Sequence, residues 1–255
     1  MNTSGLLPSW CRLVRADNPS PMTLEGTNTY LLRVRDGTVV VDPGPLLDEH
    51  LERVAAEAGS VVLTLLTHGH PDHAEGSGRF REITGAPVAA RDPALCIDTA
   101  PLDRDGARVG VEDLDLRVLH TPGHTADSVS FLVAEPGEPG VLTGDTVLGR
   151  GTTVVAHPDG ALAPYLDSLG RLRDLGPTRL LPGHGPVRDD AAAVAQDYLN
   201  HRVQRLEEVR AALAGGARTA REVVEVVYAK VDQALWDAAE LSVRAQLEYL
   251  GRDEP

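Results

Sequence analysis

The segment Thr67-His68-Gly69-His70-Pro71-Asp72-His73 places three imidazoles and a carboxylate within six residues, directly after an apolar run at 61–66. Three further candidates stand in the same kind of place, after an apolar run and beside a glycine. They are His124 in Thr121-Pro122-Gly123-His124-Thr125, Asp145 in Thr143-Gly144-Asp145, and His184 in Pro182-Gly183-His184-Gly185. Imidazole nitrogen and carboxylate oxygen suit zinc first, and manganese or ferrous iron as well, while a set without cysteine excludes thiolate-type sites. Seven such donors suffice for two divalent ions. Two ions would share a water whose pKa falls to ~7, giving a hydroxide nucleophile, and one would polarise a carbonyl or phosphoryl oxygen. Asp72, beside three of the donors, is the candidate catalytic residue, orienting the hydroxide and carrying a proton to the leaving group. A lone histidine near a strand end is as often a satisfied polar group as a ligand. His50, His120, His157 and His201 lack the recurring context and read as structural.

Positioning these groups requires strands that end where the donors begin. Residues 31–34, 38–41, 61–67, 116–119, 129–133, 141–143 and 180–181 read as strands, several continuously apolar and therefore covered on both faces. Residues 46–58 and 162–175 read as helices; in the second, Leu162, Tyr165, Leu166, Leu169, Leu172 and Leu175 form one stripe. Gly69 and Pro71 predict an irregular loop that fans the histidines around a point, because proline resists a helix interior. This alternation implies a layered α/β (α+β) architecture. From about residue 191 the pattern is helical only. Val203, Leu206, Val209 and Leu213 make one stripe, Thr219 and Glu222 a capping box, and Trp236, Ala239, Val243, Leu247 and Leu250 a further helix. The expected organisation is a catalytic domain at 1–190 and a small helical subdomain at 191–255.

Composition narrows the function classes. Against 24 Lys and Arg stand 38 Asp and Glu, a net charge of −14, so the overall field repels phosphate backbones and anionic membranes. The two cysteines, Cys11 and Cys96, lack redox or zinc-thiolate spacing and point to a reducing compartment. Residues 1–21 contain no apolar signal-like core, and no run reaches the ~18 apolar residues of a spanning helix. A cytoplasmic protein with no membrane partner is expected.

His68 to His73 matches, position for position, the H-x-H-x-D-H signature of the metallo-β-lactamase superfamily, and the chain resembles that family in the order of its later motifs too. The resemblance implies a four-layer αββα sandwich. It also implies a first metal site of His68, His70 and His124, a second of Asp72, His73 and His184, and Asp145 bridging them. Asp42, in Val41-Asp42-Pro43-Gly44, resembles the supporting aspartate that orients ligands from behind. Zinc β-lactamases carry a cysteine in the second site, so antibiotic hydrolysis is not expected here. Asn28-Thr29-Tyr30, Gly149-Arg150-Gly151-Thr152-Thr153 and Asn200-His201-Arg202, together with the helical tail, resemble the beta-lactamase-like protein 2 group, which carries a winged-helix-like C-terminal domain.

That resemblance implies two substrate classes. One is a small acyl thioester or ester; the other is single-stranded RNA, cut by an endoribonuclease. Residues 196–255 hold eight basic and eleven acidic side chains, and only nine aromatics exist in the chain, so both phosphate-binding charge and base-stacking platforms are scarce. The 38 residues between Asp145 and His184 leave no room for the large inserted domain of RNA-processing relatives. The small acyl substrate is therefore favoured, the tail reads as a lid or dimer surface, and Tyr30, Arg150 and Thr153 read as structural.

Overall fold

The computed structural model describes residues 7–251. Residues 1–6, part of the start read for an export signal, and 252–255, the end of the expected second domain, lie outside the described residues. Two sheets form the centre. The first orders as β1 (Cys11–Arg15), β2 (Asn28–Val34), β3 (Gly37–Val41), β4 (Val61–Leu65) and β5 (Val88–Ala89). The second orders as β6 (Leu116–His120), β7 (Val129–Val133), β8 (Gly140–Gly144) and β9 (Arg179–Pro182).

Side chains alternate across a strand, and that period builds the layers. Tyr30, Leu32, Val39, Val41 and Leu65 of the first sheet meet Leu116, Val118, Phe131, Leu142 and Leu181 of the second in one core. Their neighbours Leu31 and Val40 face outwards onto α1 (Asp48–Ala58) and α3 (Ser77–Thr84), where Leu51, Val54 and Phe80 are fully buried. On the far side, Val141 and Leu180 face α4 (Leu162–Arg173), through Leu162, Tyr165, Leu169 and Leu172. The expected four-layer αββα sandwich is the observed one.

One local expectation is corrected. Pro71 does not keep its segment irregular; it opens a helical turn, α2 (Pro71–Ala74), with His70 extended at the N-cap (φ −63°, ψ 143°). Proline's missing N–H is already an orphan in the first helical position, and its fixed φ suits that position.

The tail holds α5 (Ala191–Ala214), α6 (Ala220–Val227) and α7 (Trp236–Tyr249), with the Thr219–Glu222 capping box in place. The first part of α5 joins the α4 core through Ala191, Val194, Ala195 and Tyr198. Its last turns pack Val209 and Ala212 against Val223, Val224, Val243 and Leu247 of α6 and α7. A single helix thus serves two cores and ties the tail rigidly to the sandwich. Among the described residues no helix is long and apolar enough to cross a membrane.

Candidate metal centre

Every candidate donor leaves the C-terminal end of a strand at one rim of the sandwich. Asp42 follows β3, His68 to His73 follow β4, His124 follows β6, Asp145 follows β8 and His184 follows β9. The rim is closed by bonds between the two sheets: Val129 N–H donates to Thr67 O (2.8 Å), Asn28 N–H to Gly183 O (2.8 Å), and Tyr30 Oη to Pro182 O (2.9 Å). Gly183 must be glycine. A Cβ there would stand 2.6 Å from Asp145 Oδ1 and 2.7 Å from His73 Cε1.

The structure brings all seven candidates together in three overlapping groups whose donor atoms lie within 4.8 Å of one another: His68 with His70 and His124, Asp72 with His73 and His184, and His68 with His73 and Asp145. The third group shares one member with each of the others. Asp145 is the common carboxylate, 3.4 Å from both His73 Nε2 and His184 Nε2 and 3.8 Å from His124 Nε2. Asp72 Oδ2 stands 3.1 Å from His184 Nε2 and 3.4 Å from His73 Nε2.

The outward ring nitrogens are tied to the scaffold, which points the inward ones at the cluster. His124 Nδ1 contacts Val154 O (2.7 Å), His73 Nδ1 contacts Asp42 Oδ2 (2.9 Å), and His68 Nδ1 contacts Thr67 Oγ1 (3.0 Å). Thr67 in turn donates its hydroxyl to Asp42 Oδ2 (2.7 Å) and its N–H to Oδ1 (2.8 Å). Asp42 therefore orients His73 directly and His68 through Thr67. Asp42 itself sits in the left-handed region (φ 53°), a conformation costing on the order of 1–3 kcal/mol for a residue other than glycine.

Charge in the cluster is strongly polarised. Burial, with neighbouring His73 and His124, holds His68 well below the ordinary histidine value, and burial lowers His124. Burial also opposes charge on His73 and His184, but Asp145 outweighs it in both, aided by Asp42 at His73 and by Asp72 at His184, so His73 lies well above the usual value and His184 rises to about 9. Against the same burial, His73 and His184 hold Asp145 far below the carboxylate range. The pocket thus combines anionic carboxylates, neutral imidazoles at His68 and His124, and a demand for positive charge around Asp145. His68 Nε2 and Asp145 Oδ1 are buried with no hydrogen-bond partner among the described residues. Orphaned lone pairs inside a nitrogen and oxygen shell fit divalent cations of the zinc, manganese or iron type.

Of the remaining histidines, His50 is buried against Thr29 Oγ1 (3.0 Å), and His120 Nε2 meets Leu102 O (2.9 Å), both structural as read. His201 is different. It lines a cavity of about 300 Å³ that also contains His124, Asp145, Arg150 and Thr153. Arg202, Arg205, Tyr228 and Leu235 of the tail complete the wall, and sequence reasoning missed them. Only the short string Asn200-His201-Arg202 hinted at them, because stripes report what faces a core and not what faces a hole.

Residues 22–184 match the Metallo-beta-lactamase superfamily, and residues 219–254 the Beta-lactamase associated winged helix domain. A Drosophila melanogaster protein named Beta-lactamase-like protein 2 homolog is 34% identical, over 92% of this chain and 86% of its own. An Aspergillus chevalieri protein named Atrochrysone carboxyl ACP thioesterase is 36% identical, over 87% of this chain and 75% of its own. The crystal structure of a metallo-beta-lactamase family protein from Thermus thermophilus superposes with a TM-score of 0.80 at 28% identity, covering 95% of this chain and 93% of that one. The chain belongs to the metallo-beta-lactamase superfamily, as a metal-dependent hydrolase that carries the associated winged helix domain.

Proposed function

We propose that the protein is a dinuclear hydrolase of a small acyl thioester or ester. His68, His70 and His124 would hold one ion and Asp72, His73 and His184 the second, zinc being the first choice, with Asp145 as the carboxylate that serves both and Asp42 as support. The observation that carries the substrate class is the cavity. It is about 300 Å³, at the small end of ligand pockets, and Met22, Leu24, Leu148, Val154, Val231 and Leu235 give it an apolar wall. An acyl chain fits the apolar part of that wall, while its basic part, Arg150, Arg202 and Arg205, suits an anionic group of the substrate. The fungal relative named as a thioesterase supports the same reading. When bound, the two cations lower the pKa of water towards neutrality and polarise the carbonyl oxygen. Asp72 accepts the proton of the attacking water and returns one to the leaving group; its carboxyl is about a quarter exposed, which leaves it a route to solvent. The free Cys11 and Cys96 support a reducing, cytoplasmic setting.

The test is elemental analysis of protein purified without added metal, joined to turnover of acyl thioesters and of a short single-stranded RNA, each with and without chelator. Two ions per chain and chelator-sensitive thioester cleavage are expected. Chelator-sensitive RNA cleavage with every thioester intact would replace this reading with the endoribonuclease.

Asp42→Asn checks the support behind the ligands. The amide can turn only one oxygen to the three donors that Asp42 now serves, and its NH2 faces His73 Nδ1 or Thr67. Metal affinity should fall about 10–100-fold, read by competition with a chromogenic chelator. Unchanged affinity would show that packing alone sets the two rings.

A further inference from the structure

The tail's share of the cavity wall carries more positive charge than the protein uses. Arg202 is 3% exposed, yet no carboxylate pairs with it among the described residues. Its NH2 donates to Thr153 O (2.5 Å), its plane lies 5.0 Å from the Tyr165 ring centre, and its Nε has no partner. Arg205 spends one terminal nitrogen on Glu208 (2.6 Å) and Val227 O (3.2 Å) while stacking 4.6 Å over Tyr228. Its Nε is buried without a partner among the described residues. His201 Nδ1 is a third buried, unpartnered ring or guanidinium nitrogen on the same turn of α5. Among the described residues the only carboxylate lining the cavity is Asp145, which belongs to the histidine cluster.

Burying a guanidinium without its counter-charge is costly, and water satisfies its donors without neutralising it. In a chain of net charge −14, with acids abundant, Arg202 has none, and Arg205 has Glu208 on one terminal nitrogen while its Nε stays unpartnered. We infer that Arg205, backed by Arg202 and His201, is an anion subsite that receives a carboxylate or phosphate carried by the substrate away from its scissile carbonyl. This rests on the acyl-hydrolase reading, since it assumes that the acyl carbon lies at the Asp145 end of the same cavity. The anion can belong to the acyl group, as an ω-carboxylate, or to the thiol, as a phosphopantetheine phosphate. A planar guanidinium fork binds either one.

The experiment compares three thioesters on the metal-loaded full chain: valeryl and glutaryl N-acetylcysteamine, which differ only by the distal carboxylate, and valeryl phosphopantetheine. Calorimetric binding of glutarate and of valerate runs in parallel and needs no turnover. We expect kcat/KM at least tenfold higher for glutaryl, or for the phosphopantetheine ester, than for the uncharged ester. Which of the two is preferred identifies the source of the anion. Arg205→Gln should cost the preferred ester at least tenfold more than the uncharged one, mainly in KM, and Arg205→Lys should recover part of the difference. Equal turnover of all three esters by the parent protein overturns the subsite while leaving the hydrolase reading intact. A uniform loss in Arg205→Gln also overturns it, assigning the arginine to holding α5 against Val227. If no thioester is cleaved yet glutarate binds tenfold more tightly than valerate, and loses that advantage in Arg205→Gln, the anion subsite stands and the hydrolase reading falls.

Discussion

An Asp145→Ala chain should retain at most one divalent ion and should lose about 10³-fold or more in turnover. Among the described residues Asp145 is the only carboxylate in reach of donors from both halves of the cluster, at 3.4 Å from His73 and His184 and 3.8 Å from His124. Its removal deletes a formal negative charge where burial makes each remaining ligand's charge more expensive to balance. Losing about 4 kcal/mol of charge stabilisation in the transition state corresponds to about 10³-fold in rate. Asp145→Asn, which keeps the shape but not the charge, should lose nearly as much, and so separates electrostatics from packing. Elemental analysis, turnover and a melting curve on the same preparation read the result. Two ions retained with turnover within tenfold of the parent would remove Asp145 from the centre.

The second large effect belongs to Asp72. Burial raises its carboxyl, but His184 and His73 more than compensate, so the group lies below its ordinary value and is an acceptor at neutral pH. Its Oδ2 also lies 3.3 Å from Thr27 Oγ1, which fixes the carboxylate against the rim of β2. Asp72→Asn preserves that fixing and abolishes proton acceptance. A positioned general acid and base contributes about 10²–10⁴-fold, and kcat should fall by that factor at saturating metal while KM changes little. Near-parental turnover with both ions bound would assign Asp72 to holding metal alone.

The tail's position changes how the site is understood. Read from sequence it is a lid or a dimer surface; in the structure it also supplies part of the cavity wall. Tyr198 Oη accepts from Leu148 N–H (3.0 Å), and Ser242 Oγ accepts from Val155 N–H (3.3 Å), so α5 and α7 grip the loop that follows Asp145. The same loop carries Arg150, ion-paired with Glu25, and Thr153, whose hydroxyl donates to Asp145 O. Arg150 and Thr153, read from sequence as structural, line the cavity as well.

Much of this protein is legible in the one-dimensional pattern, for a physical reason. Side-chain patterns are local, so the continuously apolar runs at β3, β4 and β8 and the stripe of α4 already imply a layered α/β architecture, while the four-layer αββα order was implied by the family resemblance. Donor chemistry is local too: three imidazoles and a carboxylate at His68 to His73 announce metal binding whatever surrounds them. The short elements β5 and α3 escaped notice because two and eight residues carry too few periods to stand out, and β1 because Arg12 and Arg15 break up its apolar run. Pro71 misled because a helix start and a helix interior treat proline oppositely. Only the tertiary structure decided that Asp42 reaches Thr67 and His73 at once, and that Arg202 and Arg205 face the hole that Asp145 opens into. Those relations join residues 25 to 60 positions apart through packing, and no local period encodes them.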